Sequence, residues 1–201
     1  MKKWFAVLLV YAAVIVGLFL FRHAWSALLL FHIAILVSLI AARSDVPIKI
    51  LFTSDNIKWI LLNILLCGST GFTLYFFWDK FGVTDNISAQ VNAMGLDESN
   101  WKVFIGYFAL VNPLLEEYFW RGFLGSESTN LAPSDFLYAG FHGLILMDRV
   151  QTSIILYSLA ALLLAGWFWR QIARADHGLL APVLGHMAAD LSILFAVYKM
   201  T

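Results

Sequence analysis

The sequence has little charge and a single cysteine. Charged residues make up 13% of the 201 residues, against about 25% in ordinary globular domains. Cys67 stands alone, so the chain can form no internal disulfide and has no cysteine cluster for a metal. Lys and Arg total 13, as do Asp and Glu, so charge does not indicate a nucleic-acid partner. These shortages exclude a disulfide-stabilised secreted scaffold and a nucleic-acid-binding domain.

The sequence is instead rich in apolar residues. They account for 61% of the chain, compared with roughly 45–50% in soluble domains, and the mean hydropathy is +0.80. A soluble chain of this length could not bury so much apolar surface, because its surface is large relative to its volume. The composition therefore predicts an all-α, polytopic bundle of transmembrane helices.

Apolar segments long enough for a bilayer core, which takes about 20 residues, divide the chain. They cover residues 4–22, 25–42, 57–78, 101–123, 134–148, 150–170 and 178–199. We predict about seven spans, with six to eight as the range, because 134–148 is short enough to be tilted or re-entrant. Of the polar stretches between them, 43–56 contains a segment predicted to lie in the interface, Val46–Phe52, and 79–100 is predicted to be the longest loop. No repeat or linker is visible, so residues 1–201 are predicted to form a single membrane domain.

The distribution of basic residues predicts a cytoplasmic N-terminus. With seven spans, eight basic residues fall on the inner side and five on the outer side. The inner set is Lys2, Lys3, Arg43, Lys49, Lys58, Arg121, Arg170 and Arg174; the outer set is Arg22, Lys80, Lys102, Arg149 and Lys199. The first segment is predicted to be an uncleaved span, since its apolar run is long and no small-residue cleavage site follows it.

Several ionisable residues lie inside the apolar segments, where a charge costs at least about 2.5–3.5 kcal/mol. They are Glu116 and Glu117 in the fourth segment, His142 in the fifth, His186 and Asp190 in the seventh, and His32 in the second. Counted from the inner ends at about 1.5 Å per residue, Glu116, His142 and His186 lie about 10 to 12 Å deep. Asp190 follows His186 by one helical turn on the same face. We therefore expect Glu116, His142, His186 and Asp190 to converge.

Two of these polar positions have a structural interpretation. His32 has no carboxylate at matching depth, so we interpret it as a hydrogen-bonding strut between helices. Glu117 and Arg121 are four residues apart in the favourable order and are predicted to form an intrahelical ion pair. Glu116 points about 100° away around the helix, without a local partner. We therefore expect Glu116, rather than Glu117, to be the carboxylate that takes part in a reaction.

A carboxylate and an imidazole at one site can activate water as a general base, while other polar groups stabilise an oxyanion. Competing proteolytic signatures are missing from the sequence. It has no Gly-x-Ser-x-Gly elbow, no His-Glu-x-x-His zinc motif and no second intramembrane aspartate, and Cys67 has no charged neighbour to activate it. Two alternatives remain open. The residues could form a structural polar network, or they could bind a metal, since Glu, His and Asp are all zinc ligands.

Three motifs in this half of the chain resemble those of the CAAX-protease and bacteriocin-processing family of glutamic intramembrane endopeptidases. Residues 116–121 fit its Glu-Glu-x-x-x-Arg motif. Residues 138–142 fit Phe-x-x-x-His with tyrosine in place of phenylalanine, and residues 186–190 fit His-x-x-x-Asn with aspartate in place of asparagine. The motif-bearing catalytic core is therefore predicted at about 101–199.

The resemblance implies a metal-free and cofactor-free site with defined roles. Glu116 would be the general base, His142 would help to hold or deprotonate water, His186 and Asp190 would form the oxyanion region, and Glu117 with Arg121 would support the site. The aspartate is a departure from the family pattern. Asn can donate a hydrogen bond to an oxyanion, whereas Asp190 must first carry a proton or must instead support a charged His186. The apolar neighbours of Asp190 favour the neutral acid.

The implied function is peptide-bond hydrolysis near the inner membrane surface, with membrane lipids around the protein and no nucleic-acid partner. Substrates would be membrane-associated peptides, either lipid-modified or carrying a C-terminal sorting tag. The short length of the chain is more typical of a prokaryotic than of a eukaryotic member of the family, so we expect the protein in a prokaryotic cell membrane. The alternatives are a non-enzymatic multi-pass protein of the same fold, such as a transporter, immunity or scaffold protein, and a metal-dependent membrane protease.

Overall fold

The computed structural model describes residues 3–201, and within this range the chain is helical with no strand beyond an isolated bridge between Val83 and Val150. Its α-helices are α1 Lys3–Ile15, α2 Ala24–Ala42, α3 Ile57–Phe76, α4 Ile87–Ala93, α5 Trp101–Glu117, α6 Pro133–Leu146, α7 Thr152–Ala175 and α8 Leu180–Met200. Helices α1 and α5 continue as π-helical segments, Val16–Leu20 and Tyr118–Phe123. Short 3-10 helices occupy Ile48–Phe52 and Trp78–Lys80. The predicted all-α fold is confirmed.

The seven predicted apolar segments are all helical. Six of them match a helix, with its π continuation where present, to within about two residues at each end, and α7 runs to Ala175 instead of residue 170. The longest predicted loop, 79–100, contains the short helix α4. This short helix forms because Val91 packs into a buried cluster with Leu96 and Trp101. A helix of seven residues is too short to be stable by propensity alone, so this packing contact could not be predicted from its sequence.

The helices have the lengths and surfaces of a membrane protein. Within residues 3–201, five are long and apolar enough to cross a bilayer: Lys3–Leu20, Ala24–Ala42, Ile57–Phe76, Thr152–Ala175 and Leu180–Met200. Large apolar side chains on them face outward, with Ile40, Leu65 and Tyr157 more than 70% exposed. The protein is therefore an integral membrane helical bundle. The count of seven spans and the cytoplasmic N-terminus stay predictions, and Lys2, which enters the charge argument, lies outside the described residues.

Helices α3 and α8 approach each other closely. The buried positions of α3 are Asn63, Cys67 and Gly71, spaced four residues apart on one face. The Gly71 N–H donates a hydrogen bond to the Ser192 hydroxyl of α8 over 3.1 Å. A methyl group at Gly185 of α8 would lie 2.7 Å from the Asn63 Cβ. Small residues permit this approach, and it fixes the helix that carries His186 and Asp190.

Aromatic side chains hold the C-terminal end of α5. Phe119 and Trp120 of the π-helical segment are 0% and 1% exposed. The Trp120 ring stacks on Phe141 of α6 with centroids 5.7 Å apart, and Phe141 in turn stacks on Phe31 of α2 at 5.2 Å. Because these rings are buried among three helices, they set the position of the glutamates that immediately precede them.

A buried ion pair anchors the connection between the π-helical segment and α6. The Arg170 guanidinium of α7 donates to both carboxylate oxygens of Asp135, over 2.9 and 2.7 Å. It also donates to the backbone carbonyls of Ser126, Ser128 and Asn130. A planar guanidinium group has enough N–H donors to form all of these bonds, whereas a lysine ammonium group does not. Arg170, predicted only as a basic residue on the cytoplasmic side, is thus a structural residue.

The α3–α8 contact generates a prediction for two glycines on the same helix. A Cβ at Gly71 would lie 2.1 Å from the Ser192 backbone, whereas a Cβ at Gly68 would lie 3.6 Å from the Ala188 methyl, an ordinary contact. Gly68→Ala should leave stability unchanged or raise it by up to about 1 kcal/mol, the helix-propensity gain. Gly71→Ala should lower it by about 1–3 kcal/mol, because the helices must separate. Equilibrium unfolding in mixed micelles measures both, and equal effects would contradict the close packing.

Candidate active site

The Glu116 carboxyl group lies inside the bundle, near the end of α5, and is 2% exposed. One of its oxygens, Oε1, accepts a hydrogen bond from the side-chain amide of Asn112 over 2.8 Å. The other oxygen, Oε2, is buried and has no hydrogen-bond partner among residues 3–201. Glu116 therefore has one oxygen fixed by the protein and one oxygen available to another molecule.

Asn112 also connects α5 to α8. Its Nδ2 atom donates to Asp190 Oδ2 over 3.3 Å, in addition to the bond to Glu116. The residue is 1% exposed. Asn112 is not among the predicted site residues, although an amide in an apolar span, four residues before a glutamate, is a signal that could identify it.

The Glu117 carboxylate is completely buried, with 0% exposure. Its Oε1 atom accepts from Arg121 Nη1 over 3.1 Å, so the predicted intrahelical pair is present, and from His186 Nδ1 over 2.8 Å. The Arg121 guanidinium carbon also lies 3.9 Å from the centroid of the Tyr138 ring and 5.1 Å from that of Trp169. The cation is thus held by a carboxylate and two aromatic faces.

The His186 ring lies between two carboxylates. Since a carboxylate only accepts, His186 Nδ1 carries the proton in the bond to Glu117. Its Nε2 atom lies 3.6 Å from Asp190 Oδ1, within ion-pair range but beyond a hydrogen bond. The ring stacks on Trp169 with centroids 4.8 Å apart. The imidazole orientation is therefore fixed by Glu117 on one side and the indole on its face.

His142 lies beside this group without a hydrogen bond to its carboxylates in the described part of the chain. Its Nδ1–H donates to the backbone carbonyl of Tyr138 over 2.9 Å, which leaves Nε2 of the neutral ring as an acceptor. The Tyr138 ring contacts both imidazoles, with centroids 4.9 Å from His142 and 6.3 Å from His186. Thus Glu116, His186 and Asp190 are brought into one hydrogen-bonded or ion-paired group, and His142 is next to it across Tyr138.

His32 forms the interhelical bonds expected of a strut. Its ring is 3% exposed; Nδ1 lies 3.2 Å from the Tyr107 hydroxyl and Nε2 lies 3.2 Å from Asn112 Oδ1. His32 was not predicted to take part in the site. It nevertheless contacts Asn112, which in turn donates hydrogen bonds to Glu116 and Asp190.

Further buried polar atoms near the glutamates have no partner within residues 3–201. They are Glu117 Oε2, Arg121 Nη2 and Trp169 Nε1, in addition to Glu116 Oε2. Proteins commonly satisfy such atoms with ordered water. A site with carboxylate oxygens, an unprotonated imidazole nitrogen and buried donors can hold a water molecule and take its proton.

The metal alternative depends on whether the ligand types converge. Among the described residues, no group of three or more His, Cys, Asp and Glu side chains is arranged to hold a metal ion. A shared metal would need these side chains to rearrange.

Comparison with known proteins bears on the same part of the chain. Residues 98–192 match the family described as type II CAAX prenyl endopeptidase Rce1-like. The match includes Glu116, His142, His186 and Asp190, so the resemblance read from the three motifs is confirmed. The match indicates that the protein is a hydrolase and, in general terms, a CAAX-type membrane protease. No curated protein and no solved structure matches the chain.

The two adjacent glutamates should differ in their effect on stability. Glu117→Gln leaves the buried Arg121 guanidinium without a carboxylate, which should cost about 3–5 kcal/mol. Glu116→Gln breaks no ion pair. The glutamine side-chain carbonyl can still accept the hydrogen bond from Asn112, so this change should cost less than about 1 kcal/mol of unfolding free energy. Unfolding of both variants in mixed micelles measures the difference. Equal losses would show that Glu117 is not the structural partner.

Proposed function

We propose, on the basis of the match of residues 98–192 to the Rce1-like family, that this protein is a glutamic intramembrane endopeptidase. In this proposal it hydrolyses peptide bonds with a water molecule activated by Glu116. The observation that carries the proposal is the buried Oε2 atom of Glu116, which lacks a protein partner while Oε1 is held by Asn112. A carboxylate arranged in this way can bind water and accept its proton.

The reaction begins when Glu116 Oε2 accepts a proton from water and the oxygen attacks the carbonyl carbon of the peptide. His142 supports this step, because its Nε2 atom is free to accept a hydrogen bond from the same water. The attack produces a tetrahedral oxyanion. Glu116 then gives the proton to the leaving nitrogen, the C–N bond breaks, and the carboxylate returns to its starting form.

The oxyanion is stabilised from α8. His186 donates Nδ1–H to Glu117, so a second proton on Nε2 makes the ring a cation with a donor for the oxyanion. Asp190 lies 3.6 Å from this nitrogen and is its nearest carboxylate. Two forms of Asp190 fit: a protonated acid that donates to the oxyanion, or a carboxylate that supports the charged ring.

Glu117 and Arg121 position the reacting groups without contacting substrate. Glu117 is fully buried and joins the π-helical segment to α8 through its bonds to Arg121 and His186. Its Oε1 atom sets the direction of the His186 ring. Holding catalytic groups in one geometry is a large part of enzymatic rate enhancement.

The substrate in this proposal is a membrane-associated peptide, lipid-modified or with a C-terminal sorting tag, in a prokaryotic cell membrane. The reacting side chains lie within apolar helices, so a soluble peptide would have to leave water to reach them. The accessible part of the site lies on α6 and α8, where His142 is half-buried and the Asp190 side chain is 15% exposed. We place the site toward the cytoplasmic leaflet, with the N-terminus inside.

The direct test is cleavage of a C-terminal peptide library by the purified protein in lipid nanodiscs, followed by mass spectrometry. Wild-type protein should cleave some members, and Glu116→Gln should be slower by at least about 10²-fold, the contribution of a general base. Glu98→Gln is the matched control, because Glu98 is an exposed glutamate within the matched residues. Full activity of Glu116→Gln would contradict the proposal. No cleavage by wild type would favour a non-enzymatic membrane protein of the same fold.

The proposal also predicts that hydrolysis needs no metal ion. Exhaustive chelation should leave the cleavage rate unchanged, because the water is activated by Glu116 and His142 alone. Elemental analysis of the purified protein should find less than one zinc per chain. Activity that is lost on chelation and restored only by zinc would assign the protein to the metalloproteases.

Asp190→Asn tests how α8 stabilises the oxyanion. The amide can accept from Asn112 through its carbonyl and donate through its nitrogen, so we expect most of kcat to remain. The alkaline limb of the pH–rate profile should move to higher pH, because the amide does not lose its proton. If Asp190 acts instead as a charged support for His186, kcat should fall by about 10²-fold with an unchanged profile. That outcome would overturn the neutral-acid role.

A further inference from the structure

A chain of hydrogen bonds outside the three motifs reaches Glu116 through His32 of α2. It begins at the Tyr107 hydroxyl, 3.2 Å from His32 Nδ1, and continues from His32 Nε2 to Asn112 Oδ1, also 3.2 Å. Asn112 Nδ2 then contacts Glu116 Oε1 at 2.8 Å and Asp190 Oδ2 at 3.3 Å. His32 and Asn112 are 3% and 1% exposed, so water does not compete for these bonds.

The two carboxyl groups fix the orientation of the Asn112 amide. Both contacts on the α8 side of the amide are to carboxyl oxygens, which accept hydrogen bonds when ionised. The NH₂ group must therefore face Glu116 and Asp190, one N–H to each. The amide oxygen is then turned toward α2, where it needs a donor because it is buried.

His32 supplies that donor. An amide oxygen only accepts, so His32 Nε2 must carry the proton in this bond. In the neutral ring Nδ1 is then an acceptor, and the Tyr107 hydroxyl donates to it. The donors thus run in one direction, from Tyr107 through His32 and Asn112 to the carboxyl oxygens of Glu116 and Asp190.

We propose that His32 is a positioning residue, which acts through Asn112 to decide which oxygen of Glu116 is free for catalysis. By holding the amide oxygen, His32 keeps both amide N–H groups on the carboxyl side. One of them occupies Glu116 Oε1 and leaves Oε2 for water, and the other donates to Asp190 Oδ2. This inference rests on the proposed function and adds a residue outside the matched range 98–192 to its machinery.

Without the His32 donor, nothing in the described bonds prevents the amide from turning over. The reversed amide would present its oxygen to two carboxyl groups, and Glu116 would lose the bond that fixes Oε1. The expected consequence is a fall in kcat with little change in KM, because the peptide contacts are not altered. Misplacement of a reacting group by a substitution away from the chemistry can cost about 10²-fold in rate.

The test compares two substitutions of His32 with a packing control on the same helix. His32→Gln keeps a donor near the Nε2 position and should retain kcat within about threefold, whereas His32→Leu removes it and should lose up to about 10²-fold at unchanged KM. Ile35→Ala creates a cavity at a 0% exposed position of α2. It should lower the melting temperature through this cavity without the loss of kcat expected of His32→Leu.

Equal kcat losses in the Gln and Leu variants of His32, or no loss in either, would overturn the proposal, as would a loss in Ile35→Ala as large as that in His32→Leu. These results are separable from failure of the proposed function, in which Glu116→Gln would itself remain active.

An assay that does not depend on activity examines the ring directly. In protein labelled with ¹⁵N-histidine, the His32 signals are identified by their loss in His32→Gln. A proton on Nε2 is expected, and a ring protonated only on Nδ1 would overturn the assignment.

Discussion

The Glu117 carboxylate accepts hydrogen bonds from both Arg121 and His186, and the candidate active site is organised around these two contacts. A guanidinium group in an apolar bundle requires a partner, and that partner is supplied one helical turn earlier on the same helix. Because the same oxygen also binds an imidazole on α8, the ion pair fixes two helices relative to each other. The aromatic rings of Tyr138 and Trp169 enclose the cation and exclude lipid from it.

Much of this arrangement could be predicted from local features of the sequence. Apolar segment length gave the long helices, and four-residue spacing gave the Glu117–Arg121 pair, since both depend on one helix at a time. The Glu117–His186 bond, the role of Asn112 and the Asp135–Arg170 pair depend on how helices rotate against one another. Spacing along the chain does not determine that rotation. The predicted convergence is present for Glu116, Asp190 and His186, with Glu116 joined to Asp190 through the Asn112 amide and Asp190 lying 3.6 Å from His186.

The half of the chain without recognisable motifs still contributes to the site. Helix α3 presents small residues to α8, which lets the backbone that carries His186 approach closely. Helix α2 supplies His32, which reaches Glu116 through a single amide. The matched range, 98–192, includes neither helix. Side chains that contact Glu116 and Asp190, the carboxylates proposed to react, are thus held by residues outside the matched range.

We propose that Glu116 activates a water molecule rather than attacking the peptide itself. A single turnover in H₂¹⁸O, with enzyme in excess over a cleaved peptide, separates these two mechanisms. Activated water places one ¹⁸O in the new C-terminal carboxylate of the product and none in the enzyme. A carboxylate nucleophile would form an acyl anhydride, whose hydrolysis can transfer ¹⁸O into Glu116. Mass spectrometry of the product and of the enzyme peptide that contains Glu116 should find label only in the product; label in Glu116 would contradict the account.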